Sequence, residues 1–194
     1  MSVRPKFAPA DQMTIEEFLA FTDTRPDEER WELVEGEPVL NASPIDYHQI
    51  IAGNILAYLL AKKAATGAAW LPLLGIGTRV PASANSLPQP DVFVLEGAPR
   101  GTPVTDDALV IFEILSRSNS KADQAWRRRV YASVPNCQHY VTVSLKTAAA
   151  TAYDRSTGWK PRQATGLAAT PDLAALGVTL PLNEVYRYTP IGQP

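Results

Sequence analysis

Two periodicities of apolar residues alternate along this chain, and each change of period marks an element. Thr14-Ile15-Glu16-Glu17 is a capping box, with Thr14 as N-cap and Glu17 reaching back to it. Met13 and Phe18 stand at the staple positions, so a short helix is expected over residues 15–21. Trp31 to Leu40 then alternates apolar and polar about a Glu35-Gly36 step, a hairpin signal. Ser43-Pro44 supplies an N-cap and a first-turn proline. Tyr47, Ile51, Ile55, Tyr58, Leu59 and Lys62 follow at helical spacing until Gly67 stops the run.

Strands are expected over 70–74, 76–80, 91–95 and 109–115. A second box, Ser120 to Asp123, opens a helix through about 133 with Trp126 and Val130 on one face. Further strands are expected at 140–143 and 147–153, and a hairpin turn at 154–158 leads to Trp159. A short strand at 178–180 and a helix at 181–186 close the chain. No internal repeat or low-complexity linker interrupts this order. Strands dominate the centre, with one long helix before them and one after, so the expected class is mixed α/β with a single sheet.

Composition narrows the class further. The 194 residues suit one domain spanning 1–194, with residues 1–12 expected as a loose N-terminal arm. With 45% hydrophobic and 20% charged residues the chain is neither disordered nor collagenous. The longest apolar run, Ile55 to Ala61, is far short of the roughly 20 residues of a membrane span. No secretory h-region opens the sequence, and the single Cys137 can form neither an internal disulfide nor a thiolate metal site, so a cytoplasmic location is expected.

The net charge of −2 excludes a globally basic nucleic-acid coat, but the charges are unevenly placed. Ten of the twenty acids lie between Asp11 and Glu37, with only Arg25 and Arg30 against them. Arg117, Lys121, Arg127, Arg128 and Arg129 cluster against the single acid Asp123. Such a patch can hold a phosphate backbone, or it can be a solvated helix face.

One position demands an explanation. In Ala108-Leu109-Val110-Ile111-Phe112-Glu113-Ile114-Leu115 a single glutamate stands among seven apolar residues of a largely buried strand. A lone buried carboxylate there costs several kcal/mol unless it is paired, protonated or bound to a metal. Asp91, after Pro90, opens another apolar strand, with a 13-residue connection between the two. If the strands pair antiparallel, Asp91 and Glu113 converge at one sheet end. Paired carboxylates with oxygen-only ligands suit Mg²⁺ or Mn²⁺, which polarise phosphoryl oxygens and activate water. Taken singly, Asp91 also reads as a strand-start residue, and Glu113 as a core glutamate paired to an arginine.

Pro90-Asp91 followed by Glu113-Ile114-Leu115-Ser116 resembles the PD-(D/E)XK nuclease superfamily, and more narrowly its Uma-type restriction-endonuclease family. Trp31 to Glu37, Ser43-Pro44 with His48-Gln49-Ile50, Ser133-Val134-Pro135 before Tyr140-Val141, and Gly177 to Tyr186 are similar to further blocks of that family, in order. Asp123 and Tyr131 fit its helix after the second acid. The resemblance implies a restriction-endonuclease-like central mixed sheet flanked by helices, with Asp91 and Glu113 as metal ligands and catalytic residues. Glu32, Glu35 or Glu37 would approach the same site, and His48 would border it, unless it is a surface or capping histidine.

The superfamily's lysine position is Leu115 here, and the Uma-type position, four residues after Asp123, is Arg127. Arginine keeps the charge, but with a pKa above about 12 it cannot act as a base. Arg127 or Lys121 would then stabilise developing charge, with Arg117, Arg128 and Arg129 on the nucleic acid. The expected function is a metal-dependent endonuclease acting on nucleic acid, DNA in the first place. A catalytically lapsed binding module on the same fold, or a homo-oligomeric scaffold, are the alternatives, and a homodimer is left open. Cys137 and His139 lack an evident orienting acid, and Gly75-Ile76-Gly77 lacks the third glycine of a phosphate loop.

Overall fold

The computed structural model describes residues 12–116 and 119–193. Arg117 and residues 1–11 of the expected arm lie outside the described residues, whereas the Met13 N–H donates to the Gly36 carbonyl at 2.9 Å. The elements run α1 (Ile15–Thr22), β1 (Arg30–Val34), β2 (Glu37–Asn41), α2 (Asp46–Thr66), β3 (Leu71–Leu74), β4 (Gly77–Thr78), β5 (Val92–Leu95), β6 (Val104–Thr105) and β7 (Ala108–Leu115). There follow α3 (Lys121–Ala132), β8 (His139–Ser144), β9 (Ala149–Asp154), β10 (Pro161–Thr165), β11 (Asp172–Leu173), β12 (Val178–Thr179) and α4 (Leu182–Val185).

A six-stranded sheet in the order β10-β9-β8-β7-β5-β3 forms the centre. Only β7 and β8 are parallel within it, joined by α3, and the other neighbours are antiparallel. Strand alternation divides its side chains between two cores. Val92, Val94, Val110, Phe112 and Ile114 pack with Ile51, Ile55 and Leu59 of α2. Phe93, Leu95 and Ile111 pack on the other face with Val130, Tyr131 and Val134. Glu113 has the parity of Ile111, so it faces α3. A third, smaller core joins Ile15 and Phe18 of α1 to Leu33 of the β1–β2 hairpin and to Leu87. Leu33 faces that core, which turns Glu32 the other way.

Several expected boundaries move. The α1 capping box is present in full, but the cap of α2 is Ile45, not Ser43. Ser43-Pro44 stays ahead of the helix, and Asp46 supplies the first-turn carboxylate, accepting the Tyr47 N–H at 2.8 Å. Ser120 caps α3, but the Asp123 carboxylate turns to Asn119 and Arg127 instead of closing the box. The strand expected at 76–80 shrinks to Gly77–Thr78, and the expected hairpin turn at 154–158 returns into β10, which starts at Pro161. Among the described residues no helix is long and apolar enough to cross a membrane.

Candidate functional site

Asp91 and Glu113 meet where β5 begins. The antiparallel register pairs Val92 with Phe112, so Asp91, one step earlier, stands opposite Glu113, one step later. The Asp91 N–H donates to the Phe112 carbonyl at 3.2 Å, and its Oδ2 accepts the Ile114 N–H at 2.7 Å. Asp91 thus takes a donor that the shorter strand β5 no longer meets. His48, from the first turn of α2, brings Nε2 to 3.3 Å from the same oxygen.

Glu113 is buried against α3. Its Oε1 accepts from Arg127 Nη1 at 2.9 Å and from the Tyr131 hydroxyl at 2.8 Å. Arg127 and Tyr131 are one helical turn apart, so both reach one carboxylate. Glu32 enters from the hairpin: its Oε2 accepts from Arg127 Nη2 at 2.7 Å, and its Oε1 from the Gln89 N–H at 2.8 Å. The Arg127 guanidinium is therefore clamped between two buried carboxylates, with Asp123 3.4 Å from Nε. Arg127 Nε and the Tyr140 hydroxyl are the two buried side-chain polar atoms without a hydrogen bond among the described residues.

The electrostatics are unbalanced. Three carboxylates, Glu32, Glu113 and Asp123, surround one guanidinium, and Asp91 adds a fourth negative group beside Glu113. Burial pushes the Glu113 pKa up to about 8; Arg127 pulls against this, while Asp91 and Glu32 reinforce it. Arg127 is held well above its ordinary value by the two glutamates, despite its burial, so it stays a cation.

Each metal-candidate carboxylate keeps one oxygen, Asp91 Oδ1 and Glu113 Oε2, with no hydrogen bond from any described residue. Both residues line a cavity of about 580 Å³, together with Arg30, Glu32, Tyr47, His48, Arg127 and Lys146 among others. Among the described residues no group of three or more His, Cys, Asp and Glu side chains is placed to hold a metal ion. A two-carboxylate site still fits Mg²⁺, which commonly takes one or two protein carboxylates and leaves its other positions to water and substrate phosphates. The excess negative charge is what a cation there would offset.

The family model described as "Putative restriction endonuclease", Uma2, matches residues 15–183. The chain belongs to this family. No curated protein matches it. The crystal structure of a "putative nuclease belonging to DUF820" from Anabaena variabilis ATCC 29413 shares the fold at a TM-score of 0.69 and 13% identity, covering 90% of this chain and 97% of that one.

Within this Uma2 chain the structure gathers Glu32, His48, Asp91, Glu113 and Arg127 and leaves Glu35, Glu37, Lys121, Arg128 and Arg129 outside. Glu35 turns away at a positive φ of 51°, its carboxylate accepting from Trp126 Nε1 and Arg129 Nη2. Glu37 and Lys121 do not line the cavity, and Lys121 is exposed at the start of α3. Arg128 lies over the Tyr153 ring, 5.3 Å from its centroid. Helical periodicity separates these side chains: of the three consecutive arginines only Arg127 is buried and lines the cavity.

Three residues have a place at or beside the site that the sequence did not assign to them. Tyr131 was read as a helix residue, not as a partner of Glu113. Arg30 lines the cavity, its side chain with no hydrogen bond or ion pair to a described residue. Gly75 permits a close approach: a Cβ there would lie 2.2 Å from the Pro90 carbonyl oxygen and 3.5 Å from an Arg30 guanidinium nitrogen. Gly75 thus serves backbone packing beside Asp91, while Gly77 makes room for the Leu87 side chain.

The Cys137–His139 pair resolves differently from expectation. An orienting acid does exist, since His139 Nδ1 lies 2.6 Å from Asp154 Oδ1. His139 Nε2, however, accepts the Ala175 N–H at 3.1 Å, and Cys137 Sγ faces the His139 carbonyl. Burial pushes the thiol up to about 12, so Cys137 is not a nucleophile.

Proposed function

We propose that this protein is a divalent-metal-dependent endonuclease that hydrolyses phosphodiester bonds of nucleic acid, DNA in the first place, with Asp91 and Glu113 as ligands for Mg²⁺ or Mn²⁺. The observation that carries this reading is the pair of uncommitted carboxylate oxygens opening onto one cavity, in a chain of a restriction-endonuclease family. A cation bound there supplies Lewis acidity toward a phosphoryl oxygen and lowers the pKa of a water.

The protein's own residues prepare that site. The Ile114 N–H and His48 hold Asp91 Oδ2 and so aim Oδ1 outward. Arg127 and Tyr131 hold Glu113 Oε1, which presents Oε2 to the cavity. Arg127 is a positioning residue here, because its Nη atoms are committed to Glu32 and Glu113 and it cannot deprotonate water.

The same clamp favours a second reading. With arginine locked where the family resemblance implies lysine, the chain would be a lapsed nuclease that still binds nucleic acid. Plasmid and oligonucleotide cleavage with Mg²⁺ or Mn²⁺ separates the two. Metal-dependent cleavage by wild type that is lost in Asp91→Asn supports the endonuclease. Metal-independent cleavage, or cleavage indifferent to Asp91→Asn, refutes it. Inactive wild type with an active Arg127→Lys variant identifies the lapsed enzyme.

A further inference from the structure

The rim of the cavity carries chemistry that phosphodiester hydrolysis alone does not require. Of the large hydrophobic side chains exposed among the described residues, two stand together at this mouth, Ile45 at 55% and Tyr47 at 40% exposure. Both come from the junction between the hairpin and α2, directly beside His48. The Tyr47 ring makes no aromatic or cation contact with a described residue. Opposite charges frame it: Asp91 and Glu113 on the cavity wall, and the cations Arg30 and Lys146, neither paired with a described residue.

We infer that this cavity takes an unpaired nucleic-acid strand, with a base stacked on Tyr47 against Ile45 and the flanking phosphates held by Arg30 and Lys146. This rests on the endonuclease reading for its site and goes beyond it in naming the form of the substrate. Phosphates need only the cations, so an exposed aromatic and aliphatic pair at a polar mouth calls for a ligand with a flat apolar face. In a duplex those faces are buried by stacking, whereas a single strand, a flap or a frayed end presents them. A cavity of about 580 Å³ is also on the scale of one small ligand, thus of a flared nucleotide and not of a duplex. Arg30 is positioned for a phosphate next to the carboxylates, since its guanidinium passes against Gly75, which is itself packed on the Pro90 carbonyl.

The test is fluorescence anisotropy of the full chain in EDTA. The probes are labelled single-stranded DNA of about 12 nucleotides, the RNA of the same sequence and the corresponding DNA duplex. Single strands are expected to bind at least about tenfold more tightly than the duplex, and the DNA and RNA arms show which sugar is preferred. Tyr47→Ala is expected to weaken single-strand binding roughly 5- to 100-fold, with Tyr47→Phe restoring it, because stacking needs the ring and not the hydroxyl. Arg30→Ala should weaken all probes and reduce the salt dependence of binding. Duplex binding as tight as single-strand binding, or indifference to Tyr47→Ala, overturns the inference. Cleavage in Mg²⁺ keeps the two readings apart. Duplex cutting unaffected by Tyr47→Ala would sink this inference alone, and Tyr47-dependent single-strand binding by a chain that cuts nothing would sink only the endonuclease.

Discussion

Two buried clusters of charge lie on the same sheet, and they are built to opposite ends. In the first, His139 Nδ1 meets Asp154 Oδ1, His139 Nε2 accepts the Ala175 N–H, and Asp154 Oδ2 accepts from Arg162 Nε and Nη2 at 3.3 and 3.1 Å. Every side-chain polar atom of His139 and Asp154 is used, and the cluster ties β8, β9 and β10 to the turn before β12. In the second, Asp91 and Glu113 are each satisfied on one oxygen and left open on the other, beside a cavity. The first holds the fold together; the second carries a structural cost that the proposed role of its carboxylates as metal ligands would explain. Burial of a carboxylate is thus a poor guide to function by itself, and the distinction lies in which lone pairs remain unspent.

The largest difference should appear on truncating each cluster's arginine. Arg127→Met leaves Glu32 and Glu113 buried without their cation and is expected to cost about 3–5 kcal/mol in urea unfolding. Arg162→Met removes a partner that is nearly half exposed and should cost far less. Equal losses would mean that the two clusters do the same job.

Activity provides the next contrast. Glu113→Gln keeps the shape of the side chain and is expected to lower metal-dependent cleavage by about 100-fold or more, on the scale of losing one electrostatic contributor to a transition state. Asp154→Asn should leave cleavage per folded molecule unchanged while lowering the melting temperature. The Asp91 neighbourhood depends on backbone as well as charge. Gly75→Ala forces a Cβ into the Pro90 carbonyl and is expected to destabilise by about 1–3 kcal/mol, again read by unfolding.

A pH series sharpens the comparison further. Glu113 ionises near its ordinary value of 4.5 in the unfolded chain and at about 8 when folded without metal. The folded state holds this proton more tightly, so the group's stabilising contribution is complete below 4.5 and is lost as pH rises through about 8. The melting temperature of wild type without metal should therefore fall relative to Glu113→Gln across that window, and Mg²⁺ should offset the fall by displacing the proton. A flat difference would contradict the direction of the shift. The smallest effect belongs to Arg129→Ala, which breaks an exposed pair with Glu35 and should change stability by less than about 0.5 kcal/mol.

Much of the site was legible before the fold because buried strands tolerate charge so poorly. Glu113 stood out among apolar neighbours, and Asp91 followed because a strand opening on Pro-Asp can pair antiparallel with it. Arg127 was found by its place after Asp123 in a family pattern. Lys121, Arg128 and Arg129 could not be separated from it by charge alone, since rotation about a helix is settled by what the helix packs against. Glu32, Glu35 and Glu37 posed the same problem on a hairpin. There Leu33, seated in the small core with Leu87, selected Glu32 by alternation. The partner of His139 was invisible because Asp154 comes from the next strand and the Ala175 N–H from a loop far along the chain.

Local rules acting over a few residues determined the capped helices α1 and α3, the Glu35-Gly36 hairpin, the apolar strands β5 and β7, and the need of Glu113 for a partner. Such rules depend on spacing, caps and burial tendency, which neighbours in the chain already express. Only the tertiary structure decided that Arg127 and Tyr131 would bind one oxygen of Glu113 and leave the other open, that Arg30 and Tyr47 would share its cavity, and that Gly75 would press on Pro90. Those outcomes come from register between distant strands and the rotation of packed helices, where a shift of one residue sends a side chain to the opposite face.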